Sequence, residues 1–316
     1  MRRVTVADRV EYIAVRVAMG VLARLPFPRA SAVGGWLGAL GYAPFGIRRR
    51  VVERQIAAAF PELDRDEVRR LSKASYRHLG RVATEAALLP RLDRAQLLAL
   101  VERVDGWELV ENALHQGDGS GLIFVTGHLG NWELSAAYAA ARGVPMDVVV
   151  RRLRNRLVDR FINANRLRAG LAVVYAREAV RRATRSLRIG RAVGFLADQS
   201  LLNLASTYVP FFGRPAKTPR GPAVFALRWN VPMLFGVALR QPNGRYRLSF
   251  EPIAVRDTGD READVDRVVD DYTRVLERWV RSAPEQYFWH HRRWKRQPPD
   301  TPPELRDPVL HESRTR

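Results

Sequence analysis

Residues 121–135 read GLIFVTGHLGNWELS. Gly121 to Thr126 is a short apolar run rich in β-branched residues, the pattern of a buried strand. Gly127 and Gly130 permit a tight turn, Asn131 suits a helix N-cap, and Trp132 to Arg142 continues as a helix closed by Gly143. A strand that passes through a glycine turn straight into a helix is the unit from which α/β sheets are built.

The turn carries His128, and a carboxylate, Glu133, follows five residues later. Residues five apart on one helix are rotated by roughly 140°, so the two side chains meet only if the histidine lies in the turn. Placed there, Glu133 in the first helical turn orients one ring nitrogen of His128, and the other is free to take a proton from a nucleophile. The free N–H groups of the helix start suit an oxyanion or a phosphate. The plainer reading makes His128 a cap and Glu133 an ordinary first-turn acid. Of the 6 histidines (His78, His115, His128, His290, His291 and His311) only His128 has an acid five residues on.

Outward from this unit, strand-like and helix-like runs alternate. Strands are expected at Met146 to Arg151, Leu171 to Tyr175, Ala192 to Ala197, Met233 to Leu239 and Tyr246 to Glu251, with helices at Arg156 to Arg168, Ala179 to Ile189, Arg220 to Trp229 and Ala263 to Arg281. The alternation predicts an α/β core with a mainly parallel sheet flanked by helices, whose active site lies at the carboxyl ends of the strands. Residues 49–116 read as helical, interrupted at Phe60-Pro61 and restarted at Asp64. Ala30 to Ile47 is uncharged for 18 residues but rich in Gly and Ala and broken by Pro44, so it reads as an interfacial or packed helix. With Tyr12 to Leu25 it forms a candidate N-terminal membrane-associating layer, residues 1–48, ahead of a main domain at 49–297. The proline-rich, charged residues 298–316 read as a disordered tail. No signal peptide is evident, since Asp8, Glu11 and Arg16 interrupt the first apolar run.

The chain of 316 residues carries a net charge of +20, and all but three of its 53 basic residues are arginine. That balance points to a polyanion: nucleic acid, an anionic bilayer, a phosphorylated substrate or an acidic carrier protein. No zinc-finger spacing, aromatic RNP-like strand or basic heptad accompanies the charge, so no nucleic acid is expected, although a basic nucleic-acid-binding protein is the alternative of another class. Cysteine is absent, which removes thiolate chemistry and disulfides. A hydrolase using the same histidine to activate water is a further alternative, and no Gly-x-Ser-x-Gly elbow supports serine chemistry.

Other constellations have ordinary readings beside functional ones. Asp198 ends an apolar strand and needs a partner, for which Arg166 is a candidate, or else it is a solvated loop acid. Arg166 and Arg168 suit a helix C-terminus. Phe211 to Gly221 reads as a rigid non-helical loop in which Thr218 caps the next helix or contacts substrate. In PEQYFWHHRRWKRQP, residues 284–298, aromatic and basic side chains alternate as at a membrane interface or an anionic head group, whereas metal binding by His290 and His291 is disfavoured for want of a nearby acid.

Together, AAAFPE at 57–62, HLGNWE at 128–133, Arg166-x-x-x-Gly170, Asp198-Gln199, VPFFGRPAKTPRGPA at 209–223 and PEQYFWHHRRWKR at 284–296 resemble the bacterial lipid A biosynthesis acyltransferases, of the lysophospholipid acyltransferase superfamily. The resemblance implies a glycerol-phosphate-acyltransferase-like α/β core, at the cytoplasmic face of the inner membrane. It implies transfer of a fatty acyl group from acyl carrier protein or coenzyme A to a hydroxyl of an anionic glycolipid such as a lipid A precursor. His128 is then the general base, Glu133 its orienting acid and Arg166 a further catalytic residue. Asn131, Asp198, Gln199, Phe212, Gly213, Thr218 and Arg292 are assigned to substrate binding. No metal or resident cofactor is expected. A phosphatidylinositol mannoside is the alternative acceptor. Members commonly carry an N-terminal transmembrane helix, whereas the run here is broken by charge and proline, which leaves either peripheral attachment or a single N-terminal anchor.

Overall fold

The computed structural model describes residues 4–115, 121–199 and 205–309. Its first layer is helical: α1 (Val6–Leu22), α2 (Phe27–Tyr42), α3 (Arg49–Ala59), α4 (Arg65–Leu88) and α5 (Arg94–Ala99). β1 (Val101–Asp105), α6 (Trp107–His115), β2 (Leu122–Thr126), α7 (Trp132–Ala141), β3 (Met146–Val150), α8 (Arg156–Arg168), β4 (Ala172–Tyr175), α9 (Ala179–Arg188) and β5 (Ala192–Leu196) follow. The chain continues through β6 (Ser206–Phe211), β7 (Arg214–Pro219), α10 (Gly221–Trp229), β8 (Met233–Arg240), β9 (Tyr246–Ile253) and α11 (Arg261–Ser282).

The main sheet runs β1-β9-β8-β2-β5-β3-β4. From β8 to β4 every neighbouring pair is parallel, and β9 turns antiparallel against β8. The expected mainly parallel α/β core is therefore present. Both faces are covered: Ile123 and Val125 of β2 enter the hydrophobic layer with α10 and α11, and Leu122 and Phe124 enter the opposite layer with α7. A strand buried on both sides has no polar face, which is why 121–126 reads as a continuous apolar run.

α2 and α4 pack at backbone contact. A Cβ on Gly80 would meet the Gly34 carbonyl oxygen at 2.2 Å, and one on Gly38 would meet the Tyr76 carbonyl oxygen at 2.2 Å. The glycines of the uncharged run thus serve helix packing. Among the described residues no helix is long and apolar enough to cross a membrane. Glu85 of α4, fully buried, joins the layers by accepting from Ser31, Tyr246, Arg240 and the Asn131 amide, the last at 2.8 Å.

Three expectations are corrected. The stretch read as wholly helical contains β1, a short edge strand paired with β9. The loop expected over Phe211 to Gly221 is mostly a β-hairpin, β6 against β7, whose two-residue turn is Phe212-Gly213 with φ 51° and 69°. Both central residues are left-handed, as a type I′ turn requires. Residues 298–309, read as disordered, fold back onto the domain: Asp307 is buried and paired with Arg292 at 2.5 Å, and Thr301 is buried. Residues 310–316 lie outside the described residues.

Candidate active site

The register of β2 and β5 builds the site. Thr126 lies opposite Leu196, and the Ala197 N–H donates to the Thr126 carbonyl at 2.9 Å. Two residues beyond that pair, at the carboxyl ends of adjacent parallel strands, His128 and Asp198 come face to face. His128 Nδ1 is 2.7 Å from Asp198 Oδ1, and the His128 backbone N–H donates to Oδ2 at 3.0 Å. The Tyr287 hydroxyl bonds the same carboxylate. Burial raises the carboxyl pKa, but the opposing attraction of His128, its two hydrogen bonds and the charge of Arg293 prevail and hold it at about 2. An ionised Asp198 accepts only, so Nδ1 carries the proton and Nε2 is the basic nitrogen.

The orienting acid expected from the sequence is therefore corrected. Glu133 lies in the first turn of α7, directed at α8, and both its oxygens are taken by Arg166, Nε at 3.0 Å and Nη2 closer. A largely enclosed guanidinium needs this anion. Burial alone lowers its pKa, yet the Glu133 bonds and charge outweigh burial and leave it raised. Arg166 and Asp198, expected to be neighbours, each belong to a different pair.

The turn itself is braced from behind. The His78 Nε2 meets the Gly130 carbonyl at 3.0 Å, the Gly130 N–H donates to the Gln286 carbonyl at 3.0 Å, and the Phe288 N–H donates to the His128 carbonyl at 2.9 Å. Gly130, at φ 60°, lies against the Ala238 carbonyl with no room for a Cβ. Gln55 of α3 fastens the bracing segment through the Trp289 and His291 carbonyls and the Arg293 N–H at 2.5, 2.7 and 2.6 Å. The run at 284–298, expected at a membrane interface, is thus an internal brace: Trp289 and Trp294 are fully buried.

His128, Trp132, Asp159, Arg166, Phe195, Gln199, Pro219 and Phe225 line a groove of about 870 Å³ over the carboxyl ends of β3 and β5. A smaller hollow of about 50 Å³ shares Trp132, Val149, Arg166 and Phe195 with it and runs inward to Met146, Gly194, Gly236 and Phe250. It is apolar, and Gly194 keeps it open, since a Cβ there would strike the Met146 methyl at 2.6 Å.

Of the residues assigned to substrate, Gln199 lines the groove, its amide 3.2 Å from His128 Nδ1. Asp198 is the partner of His128. The others lie elsewhere. Asn131 is buried, capping α7 by accepting from the Leu134 N–H at 2.9 Å. Phe212 and Gly213 form the hairpin turn, with Phe212 packed edge-on to Phe60 and Trp289. Thr218 caps no helix: it is buried in β7 and accepts from Arg293 Nη2 at 2.6 Å. Arg292 is held by Asp307. Among the described residues no group of three histidines or acids is placed to hold a metal.

The family model described as bacterial lipid A biosynthesis acyltransferase matches residues 3–296. The chain is 26% identical to the lipid A biosynthesis lauroyltransferase of Escherichia coli over 291 residues, 90% of this chain and 92% of that one. It is 26% identical to the lipid A biosynthesis palmitoleoyltransferase of the same organism, over 89% of this chain and 90% of that one. It is also 29% identical over 167 residues to the phosphatidylinositol mannoside acyltransferase of Mycobacterium tuberculosis, about half of each chain. With a match running nearly end to end, the chain belongs to the bacterial lipid A biosynthesis acyltransferase family and is an acyltransferase.

Proposed function

We propose that this protein moves a fatty acyl group from an acyl-carrier-protein or coenzyme A thioester to a hydroxyl of a glycolipid, a lipid A precursor first among them. One observation carries the reading: the imidazole of His128 borders the groove, with Nδ1 given to an ionised carboxylate and Nε2 left to work.

The acceptor hydroxyl gives its proton to Nε2 as its oxygen attacks the thioester carbonyl, and Asp198 stabilises the imidazolium that forms. Collapse of the tetrahedral intermediate breaks the carbon–sulfur bond. The imidazolium returns its proton to the departing thiolate, leaving an O-acyl ester and a free thiol. The thioester is already activated, so the reaction calls for no resident cofactor. The apolar wall of the groove, with Phe195, Val224 and Phe225, suits the acyl tail, and Arg166, tied to Glu133, borders both hollow and groove.

The membrane supplies the acceptor in this reading. On α1 the side chains of Val6, Val10, Ile13, Val17 and Val21 are between 53% and 77% exposed, in one stripe at helical spacing. Trp36, Phe45 and Ile47 are exposed beside α2, with Arg9, Arg16, Arg48 and Arg50 also exposed. Apolar and cationic side chains mixed in this way suit the surface of an anionic leaflet, the cytoplasmic face of an inner membrane, without a span.

The test is transfer by the purified protein, with acyl-carrier-protein and coenzyme A thioesters against a lipid A precursor and a phosphatidylinositol mannoside. Ester formation that vanishes in His128→Ala supports the reading, and release of free fatty acid without an acceptor refutes it. The mannoside is the second reading, favoured by the mycobacterial relative.

A further inference from the structure

Four arginines line the catalytic groove without a carboxylate partner among the described residues: Arg151, Arg152 and Arg154 directly after β3, and Arg228 near the end of α10. Other arginines in or near the groove are paired: Arg166 holds Glu133, and Arg220 reaches Glu262 and Asp266. The one acid of the groove wall near these cations, Asp159, is already used: Oδ1 accepts the Leu153 N–H at 2.8 Å and Oδ2 accepts the Tyr175 hydroxyl at 2.8 Å. It fixes the arginine loop through neutral donors and forms no ion pair with the four guanidinium groups.

The loop is fixed at its other end too. Asn155 accepts from the Leu157 N–H at 3.0 Å and donates to the Asp8 carbonyl and the Glu11 carboxylate at 2.8 and 2.9 Å. Arg152 lies 4.3 Å from the Tyr175 ring centroid, so part of the cluster is pre-set in direction. Like charges facing one groove repel one another until an anion arrives, and planar guanidinium forks match phosphoryl oxygens in pairs.

We propose that Arg151, Arg152, Arg154 and Arg228 form a phosphoryl-binding rim for the substrate of this groove. The proposal rests on the acyl-transfer reading above. In the sheet, β3 stands two places from β2, about 10 Å at the usual strand spacing, which sets the scale from the rim to His128. A phosphate a few bonds from the reacting hydroxyl of the acceptor fits that span. The donor's phosphate lies a whole pantetheine arm from its thioester, and fits less well.

The experiment compares the wild type with Arg151→Gln/Arg154→Gln and with Arg228→Gln. Acceptors are a short-chain phosphorylated disaccharide glycolipid and its dephosphorylated form. Donors are acyl-coenzyme A and a phosphate-free acyl-N-acetylcysteamine. The expected result is a KM for the phosphorylated acceptor raised about tenfold or more, a rise at least tenfold smaller for the dephosphorylated one, and the same pattern with both donors. A KM effect that follows acyl-coenzyme A alone keeps the rim and assigns it to the donor phosphate. Equal rises for both acceptors with both donors, or none, overturn it. Calorimetric titration with the short-chain phosphorylated acceptor separates the two readings. Arginine-dependent binding by a protein that transfers nothing sinks the acyl-transfer reading alone, and transfer with arginine-independent KM and binding sinks the rim alone.

Discussion

The Nδ1 of His128 stands 2.7 Å from Oδ1 of Asp198, a residue seventy positions further along the chain, on the neighbouring strand end. The acid five residues from the histidine is turned away from it, onto Arg166. Asp198→Asn keeps the shape but removes the anion that fixes the tautomer. A fall in kcat of about a hundredfold or more is expected, comparable to His128→Ala, with KM little changed. Steady-state kinetics at pH 7.5 decide it, and an Asp198→Asn enzyme with near wild-type kcat would remove Asp198 from the dyad.

Glu133 and Arg166 answer to a different test, since each is mostly enclosed and leans on the other. Glu133→Ala strands a guanidinium, and a stability loss of about 3 kcal/mol is expected. The double variant Glu133→Leu/Arg166→Leu recovers most of that loss because no charge is left unpaired, while activity stays low for want of the groove-lining cation. Urea denaturation of the single and double variants is the measurement. If Glu133→Ala instead leaves stability intact and abolishes only the rate, the carboxylate works on His128 after all.

These two pairs mark how far the chain was legible before its structure. The strand, glycine turn and helix around His128 follow from local pattern, and α8 begins and ends where its spacing and Gly170 indicate. The His128–Asp198 pairing does not follow, because spacing along the chain sees only neighbours on one element, whereas Asp198 reaches His128 through the β2–β5 register. Pro210, Pro215 and Pro219 disguised the β6–β7 hairpin, and the Phe212-Gly213 turn lacks the usual Asn or Asp. β1 is five residues at a sheet edge, too short to interrupt a helical reading. Phe212, Thr218 and Arg292 stand in motifs that hold the site's scaffold, and motif membership alone does not separate support from contact.

Acid should weaken the fold well before it titrates Asp198. Burial is the first cause that lowers His78, His290 and His291, each to about 4 from the ordinary 6.5. The unfolded chain therefore takes up protons between those values that the folded chain refuses. Stability is full above about pH 6.5 and falls as pH drops toward 4, by up to about 4 kcal/mol per unit for the three together. His290 has neither ring nitrogen hydrogen-bonded, against Tyr76 and Phe288. His290→Phe is thus expected to be neutral or slightly stabilising at pH 7 and to lower the slope by about a third. Urea midpoints at pH 7.5, 6 and 5 test this, and an unchanged slope in the variant refutes it.

The stripe on α1 makes the last prediction. Ile13 and Val17 lie in its middle, 58% and 60% exposed, so replacing them costs the fold little. Burying both in a bilayer contributes roughly 1–2 kcal/mol or more, and two acids there add repulsion from an anionic surface. Ile13→Glu/Val17→Glu should therefore weaken binding to vesicles containing anionic phospholipid by about tenfold or more, with the urea midpoint unchanged. Raising ionic strength should weaken the wild type in the same assay, because the exposed arginines beside the stripe are screened over about 8 Å at physiological salt. Vesicle co-sedimentation of both proteins reads the effect. Binding that ignores the double substitution would mean that another face of the molecule meets the lipid, and α1 would then need a protein partner to cover it.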